Sequence, residues 1–333
     1  MASQHDQVPD FDRGVAYWAA TDAGTPVPRL DATSSRLLIL SLLPSLSTIP
    51  PPHLPSPSSS SSSPSSPTKP PRPSRPFRAL DCGAGIGRVT RDTLLPLFDA
   101  VDLVEPVPAF VAQAERDARA GRDGWRRLAA SAGSEGQGQG QGQRAVRIWK
   151  AGLQHFDPRR PAVPVVVEEA SGAAAKVELA ATIGRGDFAW PDPHRELDLA
   201  EAGYDLVRVS GPLPRRSSPA SLSGAQTDPG WCQWCLGHLS DPELVSFLRR
   251  ARAALRTSPS GTCEGFIVVK ENVCADDAAE GAGRLFDDED SSITRSDRVW
   301  RDVFDAAGLE IVRREVQLGF PQELFPVVAY ALR

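Results

Sequence analysis

The chain has 333 residues with a net charge of −5 and a sequence pI near 5.6. This acidic balance argues against a protein that binds the nucleic-acid backbone without sequence preference. No apolar run approaches the ~20 residues needed to cross a bilayer, and the first residues carry neither the basic nor the apolar region of a signal peptide. The five cysteines form an odd, sparse set that is typical of free thiols in a reducing compartment. We therefore expect a cytoplasmic or nuclear protein without nucleic-acid or membrane partners.

Length alone predicts about two domains, because domains average ~150 residues. Proline contributes 31 residues and glycine 27, and many of them lie in a Pro/Ser run at 50–76 and a Gly/Gln run at 131–143. Neither run can bury enough apolar side chain to offset the entropy of ordering the chain, and residues 159–203 and 211–230 lack sustained periodicity. The predicted organisation is a helical region at 1–49, a disordered spacer at 50–76, and one α/β domain at 77–333 with inserts at 121–143, 159–203 and 211–230.

Strands and helices alternate after the spacer, whereas residues 11–46 before it look helical but are interrupted by proline. In chain order the pattern predicts a strand at 77–81, a helix at 88–98, a strand at 100–105, a helix at 108–119, strands at 145–150 and 204–209, a helix at 241–255, a strand at 265–270, a helix at 296–307, and strands at 310–317 and 324–332. This alternation predicts a doubly wound, mostly parallel sheet with an antiparallel closing pair. Ligands bind such sheets beyond the carboxyl ends of the strands, where the motifs below fall.

A glycine-rich turn follows the first strand, where residues 80–88 read LDCGAGIGR. Glycines here let a ligand approach the backbone, and the next helix presents free N–H groups. The third glycine comes one residue earlier than in a dinucleotide fingerprint, and no Gly-Lys-Ser/Thr follows, which excludes a P-loop. The spacing is similar to motif I of S-adenosylmethionine (AdoMet) methyltransferases, although a tight turn without a ligand is the alternative.

Glu105 ends the second strand, where an acidic side chain can accept hydrogen bonds from both hydroxyls of a ribose. Arg88, just after the glycine turn, could pair with the carboxylate of a methionine group. The alternative is a surface acid and a solvated arginine. Turn, strand and terminal acid together favour a nucleoside cofactor.

Five ordered blocks make a family resemblance specific. They read LDCGAGIGRVTRDTLLPLFDAVDLVEPV at 80–107, GLQ at 152–154, QWCLGHLSD at 233–241, VKEN at 269–272 and FDDEDSS at 286–292. This order closely resembles the protein α-N-terminal methyltransferases, which methylate the free α-amine of proteins that begin Xaa-Pro-Lys once the initiator Met is removed. The resemblance covers about residues 77–333. It implies a Rossmann-like class I AdoMet methyltransferase fold, a doubly wound seven-stranded sheet with an antiparallel C-terminal strand, AdoMet as cofactor, and protein N-termini as partners.

The resemblance also implies a set of cofactor contacts. They would fall on Gly83, Gly85, Arg88, Glu105, Pro106, Val107, Gly152, Leu153, Gln154 and Gln233. Residues 152–154 follow the third strand, where an adenine amino group usually meets backbone and polar side chains. The family commonly has Asp at the position of Glu105, and Glu keeps the same acceptor oxygens.

In the substrate half, the resemblance implies that Asn272 holds the amine while Asp290 and His238 orient or deprotonate it. An α-amine has a pKa of ~7.7–8.0, so only one proton has to be removed near neutrality. The remaining implied substrate contacts are Asp287 for the Lys at position three, Trp18 and Trp234 for the proline ring, and Ser292 as a polar contact.

Each of these residues has a structural alternative. The acidic run 287–290 is by itself typical of a solvated loop, His238 fits a structural histidine equally well, and Trp234 could belong to the core. Cys232 and Cys235 lack the second ligand pair of a zinc site, so we expect no metal. At the level of the whole chain, the alternatives are a small-molecule methyltransferase and a non-catalytic, methyltransferase-like binding module.

The chain departs from the family pattern at two places. In the family, a segment after the tyrosine and tryptophan matched by Tyr17 and Trp18 closes over the substrate, so region 1–49 would form a lid that is shortened here. The second departure is a proline-rich insert at 211–230 between the fourth strand and the block at 233–241. We expect this insert either to loop out or to disrupt that strand.

Overall fold

The computed structural model describes residues 7–20, 29–47, 75–128, 144–166, 176–184, 190–210, 236–276, 283–319 and 325–333. Its helices are α1 Phe11–Ala19, α2 Arg29–Leu42, α3 Pro108–Ala120, α4 Leu199–Ala202, α5 Asp241–Ala253 and α6 Asp297–Ala306. Its strands are β1 Arg78–Cys82, β2 Ala100–Glu105, β3 Ala145–Lys150, β4 Glu178–Gly184, β5 Leu206–Ser210, β6 Phe266–Cys274, β7 Arg284–Asp287, β8 Ser292–Ser296, β9 Ile311–Val316 and β10 Val327–Leu332. In this described part, no helix is both long enough and apolar enough to cross a membrane.

Eight of the described strands lie side by side in the order β4-β3-β2-β1-β5-β6-β10-β9, and the β7–β8 hairpin pairs through β8 with the end of β6. The five central strands from β3 to β6 are parallel, whereas β10 runs antiparallel to both β6 and β9. This arrangement contains the seven expected strands and the expected antiparallel C-terminal strand, with β4 added antiparallel to β3 at one edge. The fold therefore agrees with the doubly wound α/β prediction.

Helices cover both faces of the sheet because its central strands are buried on both sides. On one face, α5 and α6 pack their apolar side chains onto β5 and β6, as Phe247 and Phe304 do against Val207 and Val269. On the other face, α2 and α3 pack onto β1, β2 and β3. The two cores leave the carboxyl ends of β1, β2, β5 and β6 along one common edge.

Helix α5 begins where the sequence indicates. Ser240 and Glu243 form a capping box, in which the Ser240 N–H donates to Glu243 Oε2 at 2.9 Å, and Pro242 occupies the first turn. Helix α6 begins with Ser296, whose hydroxyl accepts from the Val299 N–H. These local signals explain why both helix starts could be predicted to within one or two residues.

Four local predictions differ from the structure. Residues 88–98 contain only a short helical segment with a π-turn at Thr90–Leu94, since Pro96 cannot donate the next hydrogen bond. Strand β6 continues past 270 to Cys274 because β10 pairs with it as far as Asn272. The strand β4 and the β7–β8 hairpin were not predicted at all. Only Ala181 of β4 is buried, so that strand carries no apolar alternation.

The insert at 211–230 does not disrupt the fourth strand of the prediction. Strand β5 runs to Ser210 and pairs with β1 on one side and β6 on the other. Residues 211–235 themselves lie outside the described residues. The N-terminal region contains the two helices α1 and α2, and residues 21–28 between them also lie outside the description.

Candidate cofactor and acceptor site

The glycine turn between β1 and the π-turn has a left-handed backbone. Gly83, Gly85 and Gly87 have φ values of 63°, 55° and 77°, a region that other residues rarely adopt. Gly87 is also confined sterically, because a Cβ there would lie 2.7 Å from the Trp125 ring. The glycines are therefore required by the turn itself, whether or not a ligand binds it.

Glu105 joins the end of β2 to this glycine turn. Its Oε2 accepts from the Gly85 N–H at 2.8 Å, and its Oε1 accepts from the Val107 N–H at 2.9 Å. Burial raises the pKa of Glu105 from 4.5 to about 7, although both N–H groups oppose that shift. A carboxylate here still has free lone pairs for two further donors, such as the hydroxyls of a ribose.

Asp81, on β1, stabilises the turn through side-chain contacts with the residues around it. Its Oδ2 accepts from the Thr90 hydroxyl at 2.6 Å, and its Oδ1 lies 3.7 Å from Arg208 Nη1 on β5. Burial raises the pKa of Asp81, whereas the charges of Arg208 and Arg88 lower it. Arg88 is thus close enough to the buried carboxylate to influence it, and it stands at the start of the helical segment after the turn.

The segment after β3 forms a single 3₁₀ turn at Leu153–His155. Gln154 is 4% exposed, and its Oε1 accepts no hydrogen bond from any residue that the structure describes. A Cβ on Gly152 would lie 2.6 Å from that oxygen and 2.7 Å from Phe11 Cζ. Gly152 therefore leaves the space in which the Gln154 amide lies.

These parts surround one cavity of about 520 Å³, some of it open to solvent. Its floor comes from the glycine turn, the end of β2 and the 3₁₀ turn after β3, and its roof comes from α1. The lining residues are Phe11, Gly14, Val15, Trp18, Gly83, Glu105, Pro106, Val107, Phe110, Leu153, Gln154, His238 and Leu239. Six of the predicted cofactor residues and two of the predicted acceptor residues therefore face the same space.

Helix α1 closes the cavity with one face. Phe11, Gly14, Val15 and Trp18 recur at the i, i+3, i+4 and i+7 spacing that places side chains on one side of a helix. The approach is close, because a Cβ on Gly14 would lie 2.7 Å from His238 Nδ1. This short N-terminal helix thus forms a roof over the site, and we call it the roof helix.

The same helix is tied to the turn between β7 and β8, which we call the acidic turn (residues 287–291). The Asp10 N–H donates to Ser291 Oγ at 2.7 Å, and the Arg13 guanidinium donates to the Asp288 carbonyl. The Tyr17 hydroxyl lies 3.4 Å from Glu289 Oε1. Roof helix and acidic turn are therefore held together by contacts on both sides.

His238 lies beneath α1 with both ring nitrogens engaged. The Trp18 Nε1–H donates to His238 Nε2 at 3.0 Å, and His238 Nδ1 lies 3.1 Å from the Ser291 carbonyl, to which it donates in this tautomer. Burial lowers the pKa of His238 from 6.5 to about 4. The ring is therefore neutral near pH 7, and neither nitrogen offers a lone pair to an incoming amine while Trp18 is bound.

Arg295, on β8, holds the turn that carries His238. Its guanidinium donates to the Leu236 carbonyl at 3.1 Å and the Leu239 carbonyl at 2.7 Å, and its Nε pairs with Asp241 at 2.8 Å. Sequence reasoning missed Arg295, because its partners lie more than 50 residues away and no local motif marks the contact.

Asn272 lies near the end of β6 and is 1% exposed. Neither its Oδ1 nor its Nδ2 has a hydrogen-bond partner among the described residues. An unpaired buried amide is costly, so native structures rarely contain one unless a ligand uses it. Asn272 is thus a strong candidate to bind a polar group of a substrate.

The acidic turn contains the other predicted acceptor residues. Asp290 is fully buried, and its Oδ1 accepts from the Ser292 hydroxyl at 2.7 Å. Asp287 is only half-buried, and its Oδ1 accepts from the Glu289 N–H at 2.9 Å. The acidic run is therefore not uniformly solvated, because one carboxylate faces inward and the others lie near the surface.

The chain matches a known protein family over most of its length. A family described as AdoMet dependent proline di-methyltransferase matches residues 68–167 and 224–333. The chain belongs to this family. It is 32% identical over 254 residues to alpha N-terminal protein methyltransferase 1 of Arabidopsis thaliana, covering 76% of this chain and 58% of that protein.

Other members of the family are covered more fully. N-terminal Xaa-Pro-Lys N-methyltransferase 1 of Danio rerio is 32% identical, and its Homo sapiens counterpart is 30% identical, each over 77% of this chain and 71% of the relative. A solved SAM-dependent methyltransferase from Leishmania major superposes with a TM-score of 0.53 at 23% identity, covering 97% of this chain and 82% of that one. This likeness confirms the methyltransferase fold.

The residues of this family member fit AdoMet as its cofactor. A buried carboxylate with free lone pairs (Glu105) and a buried amide oxygen with no partner among the described residues (Gln154) line one cavity. Gly152 directly precedes that part of the lining, and a Cβ there would meet the Gln154 amide oxygen. They would receive ribose hydroxyls and an adenine amino group, while Arg88 would receive the methionine carboxylate. Within the described ranges, no group of three or more His, Cys, Asp or Glu side chains is arranged to hold a metal ion.

Some predicted residues cannot be placed, and some lining residues were missed. Gln233, Trp234, Cys232 and Cys235 lie outside the described residues. Sequence reasoning missed Phe11, Gly14 and Val15, although their helical spacing with Trp18 was a usable signal. It also missed Phe110, which lies in the first turn of α3 and belongs to no recognisable sequence motif.

Proposed function

We propose that this chain transfers a methyl group from AdoMet to the free α-amino group of proteins that begin Xaa-Pro-Lys. The observation that carries the proposal is the buried amide of Asn272 near the carboxyl end of β6, which has no hydrogen-bond partner among the described residues. Relatives named as Xaa-Pro-Lys methyltransferases support this choice of acceptor. An amide with one acceptor and two donors suits a terminal amine beside a peptide carbonyl.

In this proposal, Asn272 Oδ1 accepts a hydrogen bond from the substrate amine and thereby aims its lone pair. Bound AdoMet supplies a methyl group on a sulfonium sulfur. The α-ammonium first gives one proton to Asp290, whose carboxylate is oriented by the Ser292 hydroxyl. With AdoMet held in the cavity, the amine nitrogen would take its methyl group directly, forming the N–C bond as the S–C bond breaks and leaving S-adenosylhomocysteine.

We assign His238 a supporting part in this reaction. Its neutral ring accepts from Trp18 and donates to the Ser291 carbonyl, so it connects the roof helix to the acidic turn. For His238 to take the proton itself, Trp18 would first have to leave Nε2. Trp18 presents an aromatic ring at the cavity, which suits the flat, rigid proline ring of the substrate.

Asp287 is the residue that we propose to meet the lysine at position three of the substrate. It is half-buried at the edge of the acidic turn, where a long cationic side chain can reach a carboxylate without full desolvation. Asp288, its neighbour, is exposed and serves as a matched control.

The test uses the full chain, AdoMet and three peptides: one beginning Ser-Pro-Lys, one beginning Ser-Pro-Gln, and the first peptide with an acetylated N-terminus. We expect mass increments of whole methyl groups on the free Lys peptide, weaker reaction on the Gln peptide and none on the acetylated one. Asp287→Asn should raise the KM of the Lys peptide several-fold, whereas Asp288→Asn should leave it nearly unchanged.

Separate outcomes identify the alternatives. Calorimetric binding of S-adenosylhomocysteine together with no methylation of any peptide would contradict the α-amine assignment and leave a methyltransferase for another acceptor. If the chain bound neither AdoMet nor S-adenosylhomocysteine, the catalytic proposal itself would be wrong, and a binding module would remain.

A further inference from the structure

Arg250, on α5, clamps the 3₁₀ turn that follows β3. Its Nη2 donates to the Leu153 carbonyl at 3.0 Å and to the Gln154 carbonyl at 3.1 Å, and its Nε donates to the Phe156 carbonyl at 3.1 Å. One guanidinium therefore satisfies three backbone acceptors that lie almost 100 residues away in sequence. The planar guanidinium reaches these acceptors from two nitrogens in a fixed fork, whereas a lysine presents all its donors from one atom.

The guanidinium is itself held in place. Its Nη1 donates to Ser246 Oγ at 2.8 Å one turn earlier on α5, and its carbon lies 5.9 Å from the centre of the Phe247 ring. Burial lowers the pKa of Arg250, while the charge of Asp157 raises it. Arg250 remains charged at neutral pH, and charge-assisted hydrogen bonds of this kind are stronger than neutral ones.

The opposite side of the same turn faces the cofactor cavity. Leu153 and Gln154 line it, and the buried Gln154 Oε1 has no hydrogen-bond partner in the described part of the chain. The backbone of a 3₁₀ turn this short has few hydrogen bonds of its own, of which the Phe156 N–H to Leu153 carbonyl bond is one. The direction of the Gln154 amide therefore depends on what holds the carbonyls behind it.

We propose that Arg250 is a positioning residue that aims Gln154 at the 6-amino group of the cofactor's adenine, and so sets the preference of the site for adenine over other purines. The inference rests on AdoMet as the cofactor and is independent of which acceptor is methylated. It differs from a purely structural role in one respect. Removing the Arg250 side chain should reduce the preference for a 6-amino purine over other purines, rather than only weaken the binding of every ligand.

The experiment measures calorimetric affinity for two ligands on the full chain. One is S-adenosylhomocysteine, and the other is its analogue with hydrogen in place of the 6-amino group, which leaves Gln154 Oε1 without a donor. In the wild-type chain we expect the adenine ligand to bind about three- to tenfold more tightly, as for one neutral hydrogen bond in a buried site. In Arg250→Ala we expect that ratio to fall to about one.

Arg249→Ala is the matched control. Arg249 is exposed on the same helix and donates to the Ala306 carbonyl, away from the cavity. It should leave both affinities and their ratio unchanged. Gln154→Leu should abolish the ratio on its own, and the double variant with Arg250→Ala should reduce it no further, because the two residues act in series.

Two results would overturn the inference. If Arg250→Ala weakened both ligands equally and kept the wild-type ratio, Arg250 would stabilise the pocket without aiming Gln154. If it changed neither affinity, the 3₁₀ turn would keep its conformation without Arg250. Should Arg250→Ala fail to fold, Arg250→Lys keeps the charge but loses the fork, and a wild-type ratio in that variant would equally contradict the assignment.

Discussion

Protonation of His238 is expected to weaken the attachment of the roof helix as the pH falls. The neutral ring accepts from Trp18 and donates to the Ser291 carbonyl, whereas a charged ring has no lone pair left for the indole. Folding lowers the pKa of His238 from 6.5 to about 4, chiefly by burial. The stabilisation is therefore complete above pH 6.5 and is lost as the pH falls from 6.5 towards 4.

The size of the effect follows from these two values. A pKa of about 4 instead of 6.5 for His238 corresponds to about 3 kcal/mol in full, of which about 2 kcal/mol is lost between pH 7.5 and pH 5. Other groups titrate with the opposite sign, since burial raises the pKa of Glu105 to about 7 and of Glu271 to about 8. The prediction therefore concerns a difference between two proteins rather than the total stability.

The assay compares the wild-type chain with His238→Gln by urea unfolding at pH 7.5 and pH 5. Glutamine keeps an oxygen that can accept from Trp18 but does not titrate. We expect the stability advantage of the wild type to shrink by about 2 kcal/mol at the lower pH. An advantage that stays constant between the two pH values would refute the buried, neutral histidine. It would also remove the argument that His238 connects the roof helix to the acidic turn.

Three further predictions concern the site directly. Asn272→Ala should lower turnover about 10- to 100-fold while leaving the S-adenosylhomocysteine affinity and the free energy of unfolding nearly unchanged, because it removes an amide that has no partner among the residues that the structure describes; loss of cofactor affinity by calorimetry would show a structural role instead. Gly152→Ala should weaken S-adenosylhomocysteine at least about tenfold in the same assay, because the new Cβ would displace the Gln154 amide and the Phe11 ring; unchanged binding would mean that the turn can shift. Cofactor affinity should be about tenfold weaker at pH 6 than at pH 8, since the carboxylate form of Glu105, with its pKa of about 7, receives the ribose hydroxyls; Glu105→Gln should lower the affinity and abolish this pH dependence.

The positions of the candidate site residues along the chain could be predicted because they depend on local patterns. Apolar runs mark the central strands, and in a parallel sheet the carboxyl ends of those strands meet at one edge. Gly83, Glu105 and Gln154 therefore had to lie near one another once the strands at 78–82, 100–105 and 145–150 were paired side by side. Helix starts such as that at Ser240 were equally local, because their capping groups lie within one turn.

The elements that escaped prediction lack a local signal. Strand β4 buries only Ala181, and its stability depends on pairing with β3. No pattern in the residues of β4 indicates this pairing. The β7–β8 hairpin carries the acidic turn, yet its sequence alone is typical of a solvated loop. Contact with α1 and with the end of β6 decides that Asp290 is buried while Asp287 reaches the surface.

The sequence by itself determined which motif follows which strand along the chain. It also determined the glycine turn and the acidic residue that ends β2. Only the tertiary structure decided how the side chains are used. His238 is neutral because burial lowers its pKa, and its two ring nitrogens contact Trp18 and Ser291, which lie 220 and 53 residues away in sequence. Gln154 is oriented by an arginine 96 residues away. Protonation states and side-chain directions depend on burial and on distant partners, and a local pattern specifies neither.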